Sequence, residues 1–127
     1  MIVVDASIVL DHLLGDIDAR ISRRIDSADL AAPDLLDAEV ASALRGLWLG
    51  RRIDDARLHA VADDLAQFQA IRYSSSLLVP RALQLRANLT AYDAMYVGLA
   101  EALECTLLTR DRRIADAPGI HCPVEVI

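Results

Sequence analysis

Two short runs that never alternate, Ile2-Val3-Val4 near the start and Thr106-Leu107-Leu108-Thr109 near the end, constrain this chain more than anything else in it. A strand with one wet face alternates polar and apolar residues, whereas an unbroken apolar run belongs to a strand buried on both sides. The stretches between them carry helical periodicity. Ile8 to Leu14 predicts a short helix, capped by Ser7 and closed by Gly15. Ile17, Ile21 and Ile25, spaced by four, place a second helix over 16–28. Leu30-Ala31-Ala32 offers a weak strand, and Pro33 suits the first turn of a helix running to Gly50. A helix over 54–69, with Leu58, Val61, Ala62 and Leu65 on one face, precedes a short strand at Ile71-Arg72-Tyr73. A short helix over 80–86 and an apolar helix from Thr90 through Leu103 follow. After the Thr106–Thr109 strand come a helical turn over 112–116 and an edge strand over 123–127. Strands alternating with helices imply right-handed crossovers, hence an α/β fold: a parallel sheet with helices on both faces. The 127 residues suit one domain over 1–127. Ligands of such sheets bind beyond the carboxyl ends of the strands, where strand order reverses.

Composition removes several function classes. All thirteen basic residues are arginine. Without lysine there is no Walker P-loop, no receiver-type phosphoacceptor site and no Schiff-base chemistry. A net charge of −6 argues against a non-specific nucleic-acid coat but leaves room for local arginines. Two cysteines, Cys105 and Cys122, cannot make a disulfide scaffold and are expected to be reduced and buried. The three histidines lack zinc spacing, and the five glycines form no dinucleotide fingerprint. With no signal-like start and no apolar run long enough to span a bilayer, a cytoplasmic location is expected.

The carboxylates are the informative residues. Asp5 directly follows the first strand, and Asp111 lies just past the Thr106–Thr109 strand. Either could simply cap the next helix. On a wheel with Leu35 at zero, Leu36, Val40, Ala43, Leu44 and Leu47 fill an apolar arc, and Glu39 falls inside it at about 40°. A carboxylate there needs a metal, a cation or a margin from which its head reaches water. Asp93 could close a capping box with Thr90, or join Glu101 and Glu104 in a solvated stripe. Taken together, four acids from separate elements can converge at one strand-end cleft. There they repel and raise one another's pKa, and a hard divalent cation removes that penalty. This is the chemistry of metal-assisted phosphodiester hydrolysis.

Four segments carry a resemblance: Val3-Val4-Asp5-Ala6-Ser7, Pro33-Asp34-Leu35-Leu36-Asp37-Ala38-Glu39-Val40, Leu89-Thr90-Ala91-Tyr92-Asp93-Ala94-Met95-Tyr96 and Leu107-Leu108-Thr109-Arg110-Asp111. In this order and spacing the chain resembles the PIN-domain ribonucleases, in particular the VapC-type toxins of bacterial toxin–antitoxin pairs. The resemblance implies a PIN-like three-layer fold with a parallel sheet of about five strands in order 3-2-1-4-5. It implies a Mg²⁺ (or Mn²⁺) site with Asp5 and Asp93 as principal ligands, and Glu39 and Asp111 completing the catalytic acids. Ser7 and Thr109 match the lining hydroxyls, while Arg110 and Arg112, with Arg113 beside them, are the candidates for RNA phosphates. It further implies endoribonuclease activity, a homodimer and a VapB-type antitoxin. The antitoxin's helix would lie in a groove between the helices around 8–14 and 33–50, with a basic residue approaching the acids. The competing reading is a non-catalytic interaction module on the same fold. If the acids serve a metal, Asp5→Asn and Asp93→Asn should each leave the metal-free protein no less stable, since each removes a repelling charge.

Overall fold

The computed structural model describes all 127 residues. Strands β1 (Ile2–Val4), β2 (Leu30–Pro33), β3 (Ile71–Tyr73), β4 (Thr106–Thr109) and β5 (Val124–Val126) form one sheet in the order β3-β2-β1-β4-β5. Every neighbouring pair is parallel, with Ile2 opposite both Leu30 and Thr106. Successive side chains of a strand face opposite sides of a sheet. Val3 and Val4, Ala31 and Ala32, and Leu107 and Leu108 are all buried, so both faces are covered. This is why the two founding runs do not alternate. Strand order reverses between β1 and β4, and the Asp5 N–H donates to the Leu108 carbonyl at 3.2 Å to close that seam.

Seven helices cover the sheet: α1 (Ala6–Leu14), α2 (Ala19–Ser27), α3 (Leu36–Leu49), α4 (Asp55–Gln67), α5 (Val79–Gln84), α6 (Ala91–Ala102) and α7 (Arg112–Ala115). Helix α6 packs across β1, β2 and β4, while α1 lies against β4, α3 and α4. No helix is long and apolar enough to cross a membrane.

Several boundaries differ from the sequence expectation. The cap of α1 is Asp5, not Ser7: its carboxylate accepts the Ile8 N–H at 3.1 Å. The helix does end as expected, because Gly15 takes the left-handed conformation (φ 76°) that a side chain would resist. Helix α2 starts at Ala19, behind an Asp18 cap, rather than at Asp16. Pro33 ends β2 in register with Tyr73, and α3 begins only at Leu36. A proline lacks the N–H that both a first helical turn and a strand's last residue can spare, so its identity fits either place. At the far end of α3 the left-handed residue is Arg51 (φ 56°), and Gly50 keeps an ordinary backbone. A 3-10 turn over Ser75–Leu78, absent from the sequence reading, leads into α5.

Helix α5 lies against α6 where Gly98 stands; a Cβ there would meet Arg81 Cγ at 3.4 Å. Arg81 then grips Glu101 through two bonds, Nε to Oε2 at 2.7 Å and Nη2 to Oε1 at 3.0 Å. The Glu101 carboxylate also accepts the His121 N–H at 2.7 Å, and Arg81 reaches the Gly119 carbonyl. With its side chain only 14% exposed, Glu101 is no member of a solvated stripe. Burial pushes its carboxyl up, but the Arg81 guanidinium and the His121 N–H outweigh this and hold it below the usual range.

Glu101→Gln should therefore destabilise the protein at pH 7 by about 1–3 kcal/mol, the scale for hydrogen bonds to charged groups. A depressed folded-state pKa gives stability that is present above the unfolded value and lost as pH falls through the folded one. The gap between parent and variant should accordingly close below about pH 4. Denaturant unfolding at pH 7 and pH 3 checks this; a gap that does not shrink in acid overturns it.

Candidate active site

The switch point of the sheet gathers acids from four elements. Asp5 follows β1 and is only 7% exposed. Its Oδ1 accepts the Ser7 hydroxyl as well as the Ile8 N–H, and its Oδ2 accepts the hydroxyl of Thr109, at the end of β4. The Thr109 oxygen in turn accepts the Asp111 N–H at 3.0 Å. The ends of β1 and β4 are thus joined by a chain of hydrogen bonds running Asp5–Thr109–Asp111. Asp111 caps α7 through the Arg113 N–H at 2.9 Å and receives the Arg113 guanidinium at 3.0 and 2.7 Å.

The other two acids come from helices. Glu39, early in α3, accepts the Tyr96 hydroxyl at 2.8 Å. Asp93 lies in the first turn of α6, where its N–H donates to the Thr90 cap at 3.2 Å. Every one of the four acids stands at or within the first turns of a helix.

Burial and mutual charge tie the acids into one electrostatic neighbourhood. Burial raises the Glu39 carboxyl first; the Tyr96 hydroxyl works against it, and the charges of Asp93 and Asp5 raise it further. Burial also leads the rise at Asp93, followed, against the Thr90 hydroxyl, by the charges of Asp111 and Asp5. Asp111 moves the other way from these two, held below the usual range by Arg113. The Tyr96 hydroxyl is raised strongly by its own burial and by Glu39, so it stays a donor. No three acidic, histidine or cysteine side chains stand at the spacing of metal ligands. The donor set is carboxylate and hydroxyl oxygen throughout, which suits a hard divalent ion such as Mg²⁺ or Mn²⁺ and no soft metal.

The expected residues fall into distinct groups. Asp5, Glu39, Asp93 and Asp111 converge, and the capping roles of Asp5 and Asp111 coexist with that convergence. Ser7 is at the site, bonded to Asp5. Thr109 is wholly buried and cannot meet a substrate; its hydroxyl positions two acids instead. Arg110 pairs with Asp11 and the Asp16 carbonyl, so it serves as a strut onto α1 and not as a free phosphate ligand. Arg112 is exposed and free of the ion pairs that engage Arg110 and Arg113. The cation that faces the acids is Arg113, two residues beyond Asp111. Sequence reading assigned Tyr96 no role, although a tyrosine three residues after Asp93 in an apolar helix signals a hydroxyl on the same side. Cys105 and Cys122 are free, as expected, but half-buried rather than buried, and burial pushes the Cys122 thiol up to about 11.

The electrostatics separate two substitutions that the sequence alone treated alike. Asp93→Asn removes a repelled charge and should make the metal-free protein no less stable at pH 7, with a gain of up to about 1 kcal/mol, the Coulomb scale at a wet site. Because the folded-state pKa of Asp93 is raised, its ionised form costs stability only above the unfolded value; the gain should vanish near pH 3. Asp5→Asn should instead lose about 1–2 kcal/mol, since an amide turns a donor toward either Thr109 or Ser7 and Ile8. Thermal unfolding in EDTA across that pH range decides; equal effects at both positions would falsify the distinction.

Comparison with known proteins places this geometry. The family model for the PIN domain matches residues 2–120. Ribonuclease VapC9 of Mycobacterium tuberculosis (strain ATCC 25618 / H37Rv) is 42% identical over 127 residues, which is 100% of this chain and 98% of that protein. Among solved structures, PAE2754 from Pyrobaculum aerophilum superposes with a TM-score of 0.70 at 26% identity, covering 98% of this chain and 83% of the other. VapBC2 from Rickettsia felis, bound to a DNA fragment from its promoter, gives a TM-score of 0.68 at 14% identity over 99% of this chain and 98% of that one. The last likeness concerns the fold alone.

Proposed function

The chain belongs to the PIN domain family, and from that premise we propose that it is a Mg²⁺-dependent endoribonuclease, the toxic member of a toxin–antitoxin pair. The observation that carries the reading is the convergence of Asp5, Glu39, Asp93 and Asp111 at the switch point of the sheet, where burial and neighbouring carboxylates raise Glu39 and Asp93. Asp5 and Asp93 would hold the ion, with Glu39 and Asp111 as the further carboxylates within its reach. A bound Mg²⁺ supplies a water of lowered pKa and stabilises charge developing on the phosphate. The chain's own residues prepare that event. Thr109 and Ser7 fix the rotamer of Asp5, Tyr96 fixes Glu39, and Arg113 fixes Asp111. Arg112, exposed beside them, is the residue available to a substrate phosphate.

The reading extends to partners. A cavity of about 640 Å³, bordered by Leu10, Leu14, Leu47 and Ile53, opens between α1 and the α3–α4 turn. It lies where a helix from a VapB-type antitoxin would seat between α1 and α3. Similarity to a VapBC structure and to a VapC ribonuclease supports that partner. The protein acts in the cytoplasm as a homodimer under the same proposal.

Two tests follow. Cleavage of RNA in Mg²⁺ should disappear in EDTA, and Asp93→Asn should lower it by at least about 100-fold, because a neutral amide is a poor ligand for a hard ion. Undiminished cleavage by metal-stripped protein overturns the mechanism. Leu47→Glu, on the cavity wall, should weaken binding of the co-encoded antitoxin by at least about 30-fold with RNA cleavage intact. Unchanged affinity in a titration would place the antitoxin elsewhere.

A further inference from the structure

A second cavity, of about 500 Å³, adjoins the acids and belongs to none of the roles assigned above. Leu35, the cap of α3, and one face of that helix line it: Ala38, Glu39, Ser42 and Ala43 follow at spacings of three and four. Ala43 was expected within the buried arc of α3, but it is exposed, as are Ala38 and Ser42. The apolar arc therefore continues past what the core covers. The opposite wall is Tyr92, 63% exposed on the first turn of α6. Tyr92 precedes Asp93 and stands one turn before Tyr96, whose hydroxyl holds Glu39. Glu39 is thus common to the acidic site and to this cavity, so the two are continuous.

The lining decides what can enter. No cation is present, and one wall is a carboxylate, so a phosphate is repelled. A flat group without charge is favoured: small aliphatic side chains give it a floor, Tyr92 a face, and Ser42 and Glu39 polar atoms at the edge. We propose that this cavity is a subsite for one unpaired nucleobase of the RNA, next to the scissile phosphate and stacked on the Tyr92 ring. A base in a duplex is already stacked on its neighbours, so only a single-stranded or splayed nucleotide can turn into the cavity. The ring stands on the first turn of a helix, so its backbone anchor is set before RNA arrives. Tyr92 acts here as a substrate-binding residue that selects unpaired RNA. The proposal rests on the ribonuclease reading, and its test separates the two.

The test uses the full-length protein, a single-stranded oligoribonucleotide that it cleaves in Mg²⁺, and the Tyr92→Ala and Tyr92→Phe variants. Stacking on one aromatic ring predicts a rise in KM of about 5- to 150-fold for Tyr92→Ala, with kcat nearly unchanged. Tyr92→Phe keeps the ring and should stay within about twofold of the parent. An abasic nucleotide flanking the cleaved bond should reproduce the loss in the parent and add nothing in Tyr92→Ala. Unaltered KM in Tyr92→Ala, or losses that add, overturns the subsite. So does a loss that coincides with dissociation of a dimer in sedimentation, which would assign the face to a second copy of the chain. A readout independent of cleavage uses a single-stranded oligoribonucleotide carrying 5-iodouridine, photo-crosslinked to the parent protein in EDTA and mapped by peptide. An adduct on Tyr92 supports the subsite even if the parent cleaves no RNA, an outcome that would sink the nuclease reading alone. Adducts confined to other residues overturn the subsite whatever the cleavage assay gives.

Discussion

The Thr109 hydroxyl donates to the Asp5 carboxylate and accepts the Asp111 N–H from a position closed to solvent. Two neighbouring parallel strands can end in acids only if something holds those ends in a fixed relation, because the charges push them apart. A buried hydroxyl does this without adding charge: its single proton fixes one carboxylate, and its lone pair fixes the backbone that carries the other. Removing it would strip a partner from a carboxylate that is itself buried, among the costlier changes a core can suffer. The seam between β1 and β4, the start of α1 and the start of α7 all depend on this one group.

Around that centre the acids divide by how their charge is met. Asp5 is surrounded by donors, and Asp111 is clamped by Arg113. Glu39 and Asp93 have one hydroxyl each and lie where burial and their neighbours raise them. The first pair contributes to the fold, whereas the second pair detracts from it unless a cation arrives. Such local conflict between stability and composition is characteristic of a functional site. Under the proposed function a bound cation would relieve it, and the added stability would grow logarithmically with free cation above its Kd.

The strand framework was legible because a doubly buried strand leaves a pattern that nothing else in a short chain imitates. The acids were legible because a carboxylate inside an apolar arc, or at the end of an apolar run, demands compensation. Finer points escaped for physical reasons. Ser7 and Asp5 are both good caps, and only the chain's path after Val4 decides between them. Pro33 suits two backbone positions equally. The partners of Thr109 and Tyr96 lie 104 and 57 residues away, and no local pattern encodes such a link. Of the three arginines near Asp111, the one that reaches its carboxylate is set by the turn into α7, while Arg110 points back to α1.

Parallel topology has one more effect on the rim where the acids gather. The carboxyl ends of β1, β2 and β4 each lead into a helix, which sets Asp5, Glu39 and Asp111 near helix starts, and α6, arriving from α5, brings the first-turn Asp93 to the same rim. Peptide dipoles sum along a helix, leaving the equivalent of roughly half a positive charge at its N-terminus. A chain with no lysine and a net charge of −6 thereby acquires fixed positive potential from its backbone, at the place where its side chains are most negative. That potential does not titrate, and no chelator removes it. It lowers the cost of holding the carboxylates together, whatever the pH or the ions in solution.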